Sequence, residues 1–193
     1  MNYPSSITRE LIADMPPEVF PGRIVVVDRP TDVKKALAAL EASGLTGFDT
    51  ETRPNFTKKD HHKVCLMQLS TEHTCYLFRL NRLGGVPTEL KAYLENGQAA
   101  KVGLSLLDDF HALRKLAPIE PDGFIDLQKF VLPFGIREAS LRKIYAILFG
   151  RKISKRAQLS NWETDTLTAP MQQYAALDAW ACLQIYRHLT QHP

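Results

Sequence analysis

The sequence has few of the features that mark secreted, membrane-spanning or disulfide-stabilised proteins. It contains only three cysteines. Cys65, Cys75 and Cys182 lie far apart in apolar sequence, which predicts small core residues rather than disulfides or zinc ligands. No apolar run approaches the roughly 20 residues needed to cross a membrane, and no basic and then apolar leader opens the chain. We therefore expect a cytoplasmic protein without membrane association.

The chain also lacks a strong excess of either charge. Twenty-four lysines and arginines against 21 aspartates and glutamates give a formal net charge of +3. This charge permits a polyanionic partner but is lower than usual for a module that binds nucleic acid by charge alone. The 193 residues, 45% of them hydrophobic, suffice for one well-buried core. We expect a proline-rich N-terminal extension (residues 1–22) and a single domain (residues 23–193), with no obligate protein partner evident.

Hydrophobic patterning predicts an α/β fold, with a mixed central β-sheet and helices on both faces. A β-branched run precedes a helical pattern that ends at Gly44, and two β-rich runs farther along form a predicted hairpin. Strands are predicted at 24–27, 47–52, 64–69, 74–78, 100–104 and 124–127, and the clearest helices at 139–149 and 170–190. Alternation of strands and helices after the hairpin indicates this class of fold.

Two carboxylates end the short apolar run at 47–52. Alternate side chains in a strand point to opposite faces, so Asp49 and Glu51 share one face and Thr50 points to the other. Carboxylate oxygens held on a rigid strand suit Mg2+ and Mn2+. Asp-x-Glu is more often a solvated pair, so a metal site requires further carboxylates elsewhere in the chain.

The last helix supplies a second pair of polar side chains. Tyr174 and Asp178 are four residues apart and therefore lie on one helix face. An ordinary amphipathic helix would explain either residue alone. Asp178, however, is flanked in sequence by alanine, leucine and tryptophan. Such small and apolar neighbours indicate close packing of the backbone and a buried carboxylate whose charge needs a cation.

These residues belong to three motifs that resemble the DEDDy group of 3'-5' exonucleases. This group, within the ribonuclease-H-like superfamily, includes ribonuclease D and the exonuclease domain of the Werner syndrome protein. The motifs are Phe-Asp-Thr-Glu at 48–51, Val-Gly-Leu-Ser-Leu-Leu-Asp-Asp-Phe-His-Ala-Leu at 102–113, and Leu-Ser-Asn-Trp at 159–162 followed by Tyr-Ala-Ala-Leu-Asp-Ala-Trp-Ala at 174–181. The resemblance covers most of the chain and is nearest to the Werner-type branch, without a helicase domain.

The resemblance implies a metal-dependent 3'-5' exonuclease with two divalent cations, Mg2+ or Mn2+, that releases nucleoside 5'-monophosphates from single-stranded or 3'-tailed DNA or RNA. Asp49 would bridge both ions, Glu51 and Asp178 would complete the site of the ion that activates water, and Asp109 would support the second. Tyr174 would orient the attacking water. A phenol, with an ordinary pKa near 10, is a weak base for this step.

Two other aspartates compete for the same role. Asp108 adjoins Asp109, and we choose Asp109 because its spacing matches the second motif, which leaves Asp108 as a predicted helix cap. Asp126 is better interpreted as a cap or turn residue before the sequence Leu-Gln-Lys.

Basic and aromatic residues near the motifs are candidates for substrate binding. Arg151, Lys152, Lys155 and Arg156 precede Asn161 and Trp162, and such cations position a phosphate backbone without selecting sequence. Lys58, Lys59, His61, His62 and Lys63 form a second candidate, and a metal site at the two histidines is the weaker interpretation because matched ligands are absent. Trp162, Phe56 and Trp180 are candidates for base stacking, although a core role is favoured for Trp180.

Two other functions remain open from the sequence. A non-catalytic nucleic-acid-binding module could keep this fold, but it would not need four carboxylates, which repel phosphate unless metals are bound. A phosphodiesterase for very short oligonucleotides would suit the modest net charge.

Overall fold

The computed structural model describes residues 3–55, 57 and 61–191. These residues form six strands and seven α-helices. The strands are β1 (Arg23–Val27), β2 (Leu45–Thr52), β3 (Val64–Ser70), β4 (Thr74–Arg79), β5 (Ala100–Gly103) and β6 (Phe124–Asp126). The helices are α1 (Arg9–Ala13), α2 (Pro30–Ser43), α3 (Thr88–Leu94), α4 (Leu106–Arg114), α5 (Leu127–Phe130), α6 (Leu141–Phe149) and α7 (Ala169–Gln191). No helix in these described ranges is both long and apolar enough to cross a membrane.

The strands form one mixed sheet in the order β1-β4-β3-β2-β5-β6. Strand β3 runs antiparallel to both β2 and β4, and the pairs β1–β4, β2–β5 and β5–β6 are parallel. The predicted hairpin, the predicted end of the second helix at Gly44 and the mixed α/β architecture are confirmed. Because β2 and β5 are parallel neighbours, their carboxyl ends meet at the same edge of the sheet.

Two hydrophobic cores lie on the two faces of the sheet. One contains the inward face of α7 with residues from α5 and α6. The other contains α2, α3 and α4. Phe48 belongs to the core on the α4 side, whereas Asp49 points to the α7 side. The alternation of side chains along β2 thus sends its acidic and apolar residues to different layers.

The long helix α7 lies unusually close to β2. A Cβ atom on Gly47 would lie 1.8 Å from the carbonyl oxygen of Ala179 and 3.2 Å from the Cβ of Leu183. Small residues on α7 permit this approach, because Ala175, Ala176 and Ala179 are completely buried. This contact between Gly47 and Ala179 matters for the site, because Gly47 is close in sequence to Asp49 and Ala179 adjoins Asp178.

Replacement of Gly47 by alanine is expected to separate α7 from β2. The added methyl group must displace the helix backbone, and overpacking of this kind costs roughly 3 kcal/mol or more in free energy of unfolding. Chemical denaturation measures this cost. Gly44→Ala is the matched control, because that Cβ would meet nothing within 4 Å and only its φ of +66° is unfavourable, at about 1 kcal/mol. Equal destabilisation by the two substitutions would contradict the role of Gly47.

The segment before β1 lies against the domain. Pro17 forms a bridge with Lys152, the Tyr145 hydroxyl donates to Glu18 at 2.9 Å, and Phe20 is buried. The short helix α1 lies within the predicted N-terminal extension. The domain boundary at residue 22 stays a prediction.

Candidate active site

Three carboxylates meet where β2 passes beneath α7. Asp49 and Glu51 come from one face of the strand, and Asp178 comes from the middle of the helix. One oxygen atom from each lies within 4.8 Å of the other two. The pairing of β2 with β3 shifts register immediately after Glu51, so regular strand geometry holds both acids and ends just beyond them. The fold therefore joins the first and third sequence motifs.

Burial and mutual repulsion make this cluster unfavourable without a counter-charge. Burial, followed by the negative charges of the neighbouring carboxylates, raises the pKa of Asp49 well above its ordinary range and raises the pKa of Glu51 in the same way. Burial also raises the pKa of Asp178 to about 7, against a hydrogen bond from Tyr174 that lowers it. The three side chains offer only oxygen ligands, and their raised pKa values mean that a proton or a cation must balance their charge. Hard divalent ions prefer such oxygen ligands. The residues present therefore fit the implied metals.

Asp109 approaches from the opposite face of the sheet. It lies in the first turn of α4, which follows β5, and its Oδ1 accepts a hydrogen bond from the Thr50 hydroxyl. Burial raises its pKa to about 6, against the effect of that hydrogen bond. Asp109 is not in the group of three converging carboxylates. Its role as a metal ligand stays a prediction, and Thr50 is a contact that the sequence analysis missed.

The two competing aspartates have different positions. Asp108 is exposed in the first turn of α4, whose N-cap is Ser105, so the prediction that Asp108 caps the helix is wrong. The backbone at the start of α4 is bound instead by Asp126, which accepts from Ser105 N at 3.1 Å and from Leu106 N at 3.2 Å. Asp126 is also the N-cap of α5, which confirms its predicted capping role.

Tyr174 completes the group on α7. Its hydroxyl donates to Asp178, and burial together with the nearby negative charges raises the pKa of the phenol far above its ordinary value. A phenol in these surroundings stays protonated and acts as a hydrogen-bond donor. This agrees with the sequence argument that Tyr174 is not a strong base.

Of the three aromatic side chains considered for base stacking, two are described. Trp162 is fully buried and its ring centroid lies 6.0 Å from that of Tyr174. This burial is unfavourable for direct base stacking, and a substrate-binding role for Trp162 stays a prediction. Trp180 packs edge-on against Phe20 and donates to the Glu72 carbonyl, in agreement with its core role. Phe56 lies outside the described residues.

The basic segment before Asn161 divides into two parts. Arg151 lies 3.5 Å from the Glu18 carboxylate, and Lys152 donates to the Ala13 carbonyl. Both cations thus contact the N-terminal segment, and their role as phosphate contacts stays a prediction. Lys155 lines the cavity above the carboxylates. Arg156 lines a separate, mostly apolar cavity of about 330 Å3 on the other side of Tyr174.

Local contacts account for Asn161 and His62. The Asn161 side chain accepts from Glu163 N at 3.1 Å, which stabilises the turn after Trp162. The Glu163 carboxylate lies 3.3 Å from Arg53 and 3.6 Å from His62. It therefore connects the turn after Trp162 to the segment between β2 and β3. No metal-ligand group in the described ranges includes either histidine. A substrate role for Asn161, His61, His62 and Lys63 stays a prediction, and Lys58 and Lys59 lie outside the described residues.

A cavity of about 340 Å3 lies above the carboxylates. Besides the predicted residues, Ser140, Arg142 and Gln158 line it. Ser140 and Arg142 lie in residues 139–149, whose ordinary amphipathic pattern does not distinguish Arg142 from a solvated cation. Gln158 lies outside all three sequence motifs.

Comparison with known proteins agrees with this geometry. A model of the 3'-5' exonuclease family matches residues 24–192. The chain belongs to this family. Similar proteins include the bifunctional 3'-5' exonuclease/ATP-dependent helicase WRN of Mus musculus, which is 29% identical over 180 residues, or 88% of this chain and 13% of that protein. The chain spans less than one third of the length of the first curated relatives that it matches.

Solved structures share the fold of this 3'-5' exonuclease family member at low sequence identity. The Nibbler EXO domain of Aedes aegypti has a TM-score of 0.79 and 21% identity, over 90% of this chain and 91% of that one. Ribonuclease D of Trypanosoma brucei, crystallised in complex with RNA U12, has a TM-score of 0.78 and 19% identity, over 88% and 63% of the two chains. The predicted resemblance and the ribonuclease-H-like fold are confirmed.

Proposed function

We propose that this chain is a metal-dependent 3'-5' exonuclease that removes nucleoside 5'-monophosphates from the 3' end of a nucleic-acid strand. The observation that carries the proposal is the convergence of Asp49, Glu51 and Asp178, with one oxygen atom of each within 4.8 Å of the others. Three carboxylates with raised pKa values at one point of a buried sheet have no evident structural use. Family membership supports phosphodiester hydrolysis as that use.

The proposed cofactors are two divalent cations, Mg2+ or Mn2+. Asp49, Glu51 and Asp178 would hold them, with Asp109 as an additional ligand. When bound, such ions activate water, neutralise charge on the phosphate and stabilise the leaving oxygen. The work of this chain is to place its carboxylates in advance, since β2 and α7 are rigid elements in contact at Gly47.

Tyr174 has a positioning role in the same proposal. Its single O–H donates to Asp178, so its oxygen can accept a hydrogen bond from a water above Asp178 and orient that water. Its ring rests on the buried Trp162, which fixes its direction. Lys155 lines the same cavity and would attract the phosphate backbone by charge.

Single-stranded or 3'-tailed nucleic acid is the proposed substrate. The crystallised complex of Trypanosoma brucei ribonuclease D with RNA U12 favours RNA, whereas the WRN relative is a bifunctional exonuclease and helicase. The proposed substrate is therefore a nucleic-acid strand, and the experiment below distinguishes DNA from RNA.

The test uses the purified chain with matched 5'-labelled DNA and RNA strands, each with a free or blocked 3' end. Reactions contain Mg2+, Mn2+ or chelator. We expect a ladder that shortens only from free 3' ends and only with a divalent ion, together with nucleoside 5'-monophosphate as product. Metal-independent binding without a ladder would overturn the proposal and identify a binding module. Cleavage of dinucleotides alone would identify a phosphodiesterase for very short oligonucleotides.

A further inference from the structure

We propose that Arg142 binds the phosphate that occupies the cavity above the carboxylates, and so acts as a substrate-binding residue. This inference rests on the proposed function, since it assigns a phosphate to the same cavity. It is carried by the place of one guanidinium group in that cavity. Arg142 lies outside the three motifs that carry the family resemblance.

The side chain of Arg142 is held in one direction by the fold. Arg142 lies in the first turn of α6, and its Nε donates to the carbonyl oxygen of Ile153 at 2.6 Å. Ile153 is itself buried, so this acceptor belongs to the fixed interior of the domain. One of the five N–H donors of the guanidinium is therefore committed to the backbone, and the plane of the group is set.

The terminal amino groups of Arg142 have no acceptor in the part of the chain that the structure describes. None of the ion pairs or hydrogen bonds of residues 3–55, 57 and 61–191 includes Nη1 or Nη2 of this residue. Arg142 also lines the cavity together with Asp49, Glu51 and Asp178. A guanidinium oriented by a carbonyl, with its paired amino groups open to a cavity, matches the geometry of a phosphate oxygen pair.

Charge explains why an arginine is suited to this wall of the cavity. The guanidinium is near enough to Asp178 to stabilise the charged form of that carboxylate, yet the two groups do not form an ion pair within 4.0 Å in the described structure. Once cations neutralise the carboxylates, Arg142 is a remaining positive group that faces the bound phosphate. A phosphate would then lie between the metal ligands and Arg142, as charge complementarity favours.

Arg142→Gln tests the proposal, with Lys143→Gln as the matched control. Lys143 is the next residue of the same helix and lies 2.9 Å from Glu138. Both changes remove one positive charge from α6, but only the first removes a group from the cavity. We expect Arg142→Gln to lower kcat/KM at saturating Mn2+ by about 10- to 100-fold, and Lys143→Gln to change it less than about twofold.

A binding measurement separates phosphate contact from a general effect of charge. In calorimetry with the Mn2+-loaded parent protein, adenosine 5'-monophosphate should bind more tightly than adenosine, and Arg142→Gln should lose most of that difference. If Arg142 only balanced the charge of Asp178, the variant would bind Mn2+ more tightly and would keep both kcat/KM at saturating metal and the preference for the monophosphate. That result would overturn the inference.

Failure of this inference can be distinguished from failure of the proposed function. Absence of hydrolysis by the parent protein would count against the exonuclease, while the calorimetry would still test Arg142. Hydrolysis by the parent at a rate that Arg142→Gln leaves unchanged would count against Arg142 alone. Arg142→Lys provides a second variant if glutamine prevents folding. It keeps the charge but loses the paired donors, and we expect an intermediate loss.

Discussion

Asp49→Asn is expected to lower the rate of 3' end hydrolysis by at least about 10^3-fold at saturating Mn2+, a loss of roughly 4 kcal/mol in transition-state stabilisation. Asp49 on β2 belongs with Glu51 and Asp178 to the group of three converging carboxylates. An amide of the same shape keeps the packing but removes a negative charge and one anionic ligand. Single-turnover kinetics on a 5'-labelled strand measure the loss.

The control for this prediction is Asp108→Asn. Asp108 is exposed on α4, whereas the adjacent Asp109 is partly buried. Replacement of Asp108 should therefore leave the rate within about twofold of the parent. Asp49→Asn should also leave the folded structure intact, and in the absence of metal it should increase the free energy of unfolding, since it removes mutual repulsion among buried carboxylates. An active Asp49→Asn protein would exclude the proposed site.

The second large effect concerns pH and metal together. Without divalent ions, the folded protein is expected to lose stability as the pH rises from about 4 to about 7. Burial raises the pKa of Asp178 to about 7 and that of Asp109 to about 6, from an ordinary value of 3.8. Across this interval the folded chain retains protons that the unfolded chain has released, so each pH increment favours unfolding.

Asp178 alone accounts for a loss on the order of 3 kcal/mol between these limits, by the usual equivalence of pKa and free energy. Bound Mg2+ or Mn2+ should abolish most of the loss, because cations compensate the carboxylate charges and bind only the folded state. Urea denaturation from pH 4 to pH 8, with metal or with chelator, measures both effects. Asp178→Asn should flatten the metal-free profile. A profile that metal leaves unchanged would argue against cation binding at these carboxylates.

Local sequence patterns predict the strands, the helices and some helix caps, because these features depend on residues close together in the chain. The spacing of apolar residues predicted the strands around Asp49 and the long helix around Asp178, since side-chain direction follows from backbone periodicity. Asp126 was recognised as a cap because the capping interaction extends over only two residues. Asp108 was wrongly assigned as a cap because α4 begins at Leu106, and a boundary error of a few residues changes which side chain can reach the free N–H groups.

The basic segment shows where such patterns are insufficient. Arg151, Lys152, Lys155 and Arg156 look alike in sequence, yet the first two hold the N-terminal segment and the other two line separate cavities. Charge attracts any nearby partner, so the partner depends on which distant segment lies within reach. Trp162 was similarly ambiguous, because an aromatic ring suits both stacking and burial.

By itself, the sequence determined the α/β class, the family resemblance and the acids on β2 and α7, because these depend on periodicity and on short motifs. Only the tertiary structure decided that the three carboxylates converge, that Thr50 binds Asp109 and that Arg142 enters the cavity. Those contacts depend on the close approach of α7 to Gly47 and on the parallel pairing of β2 with β5. Such packing joins residues that are far apart along the chain, and no local pattern specifies it.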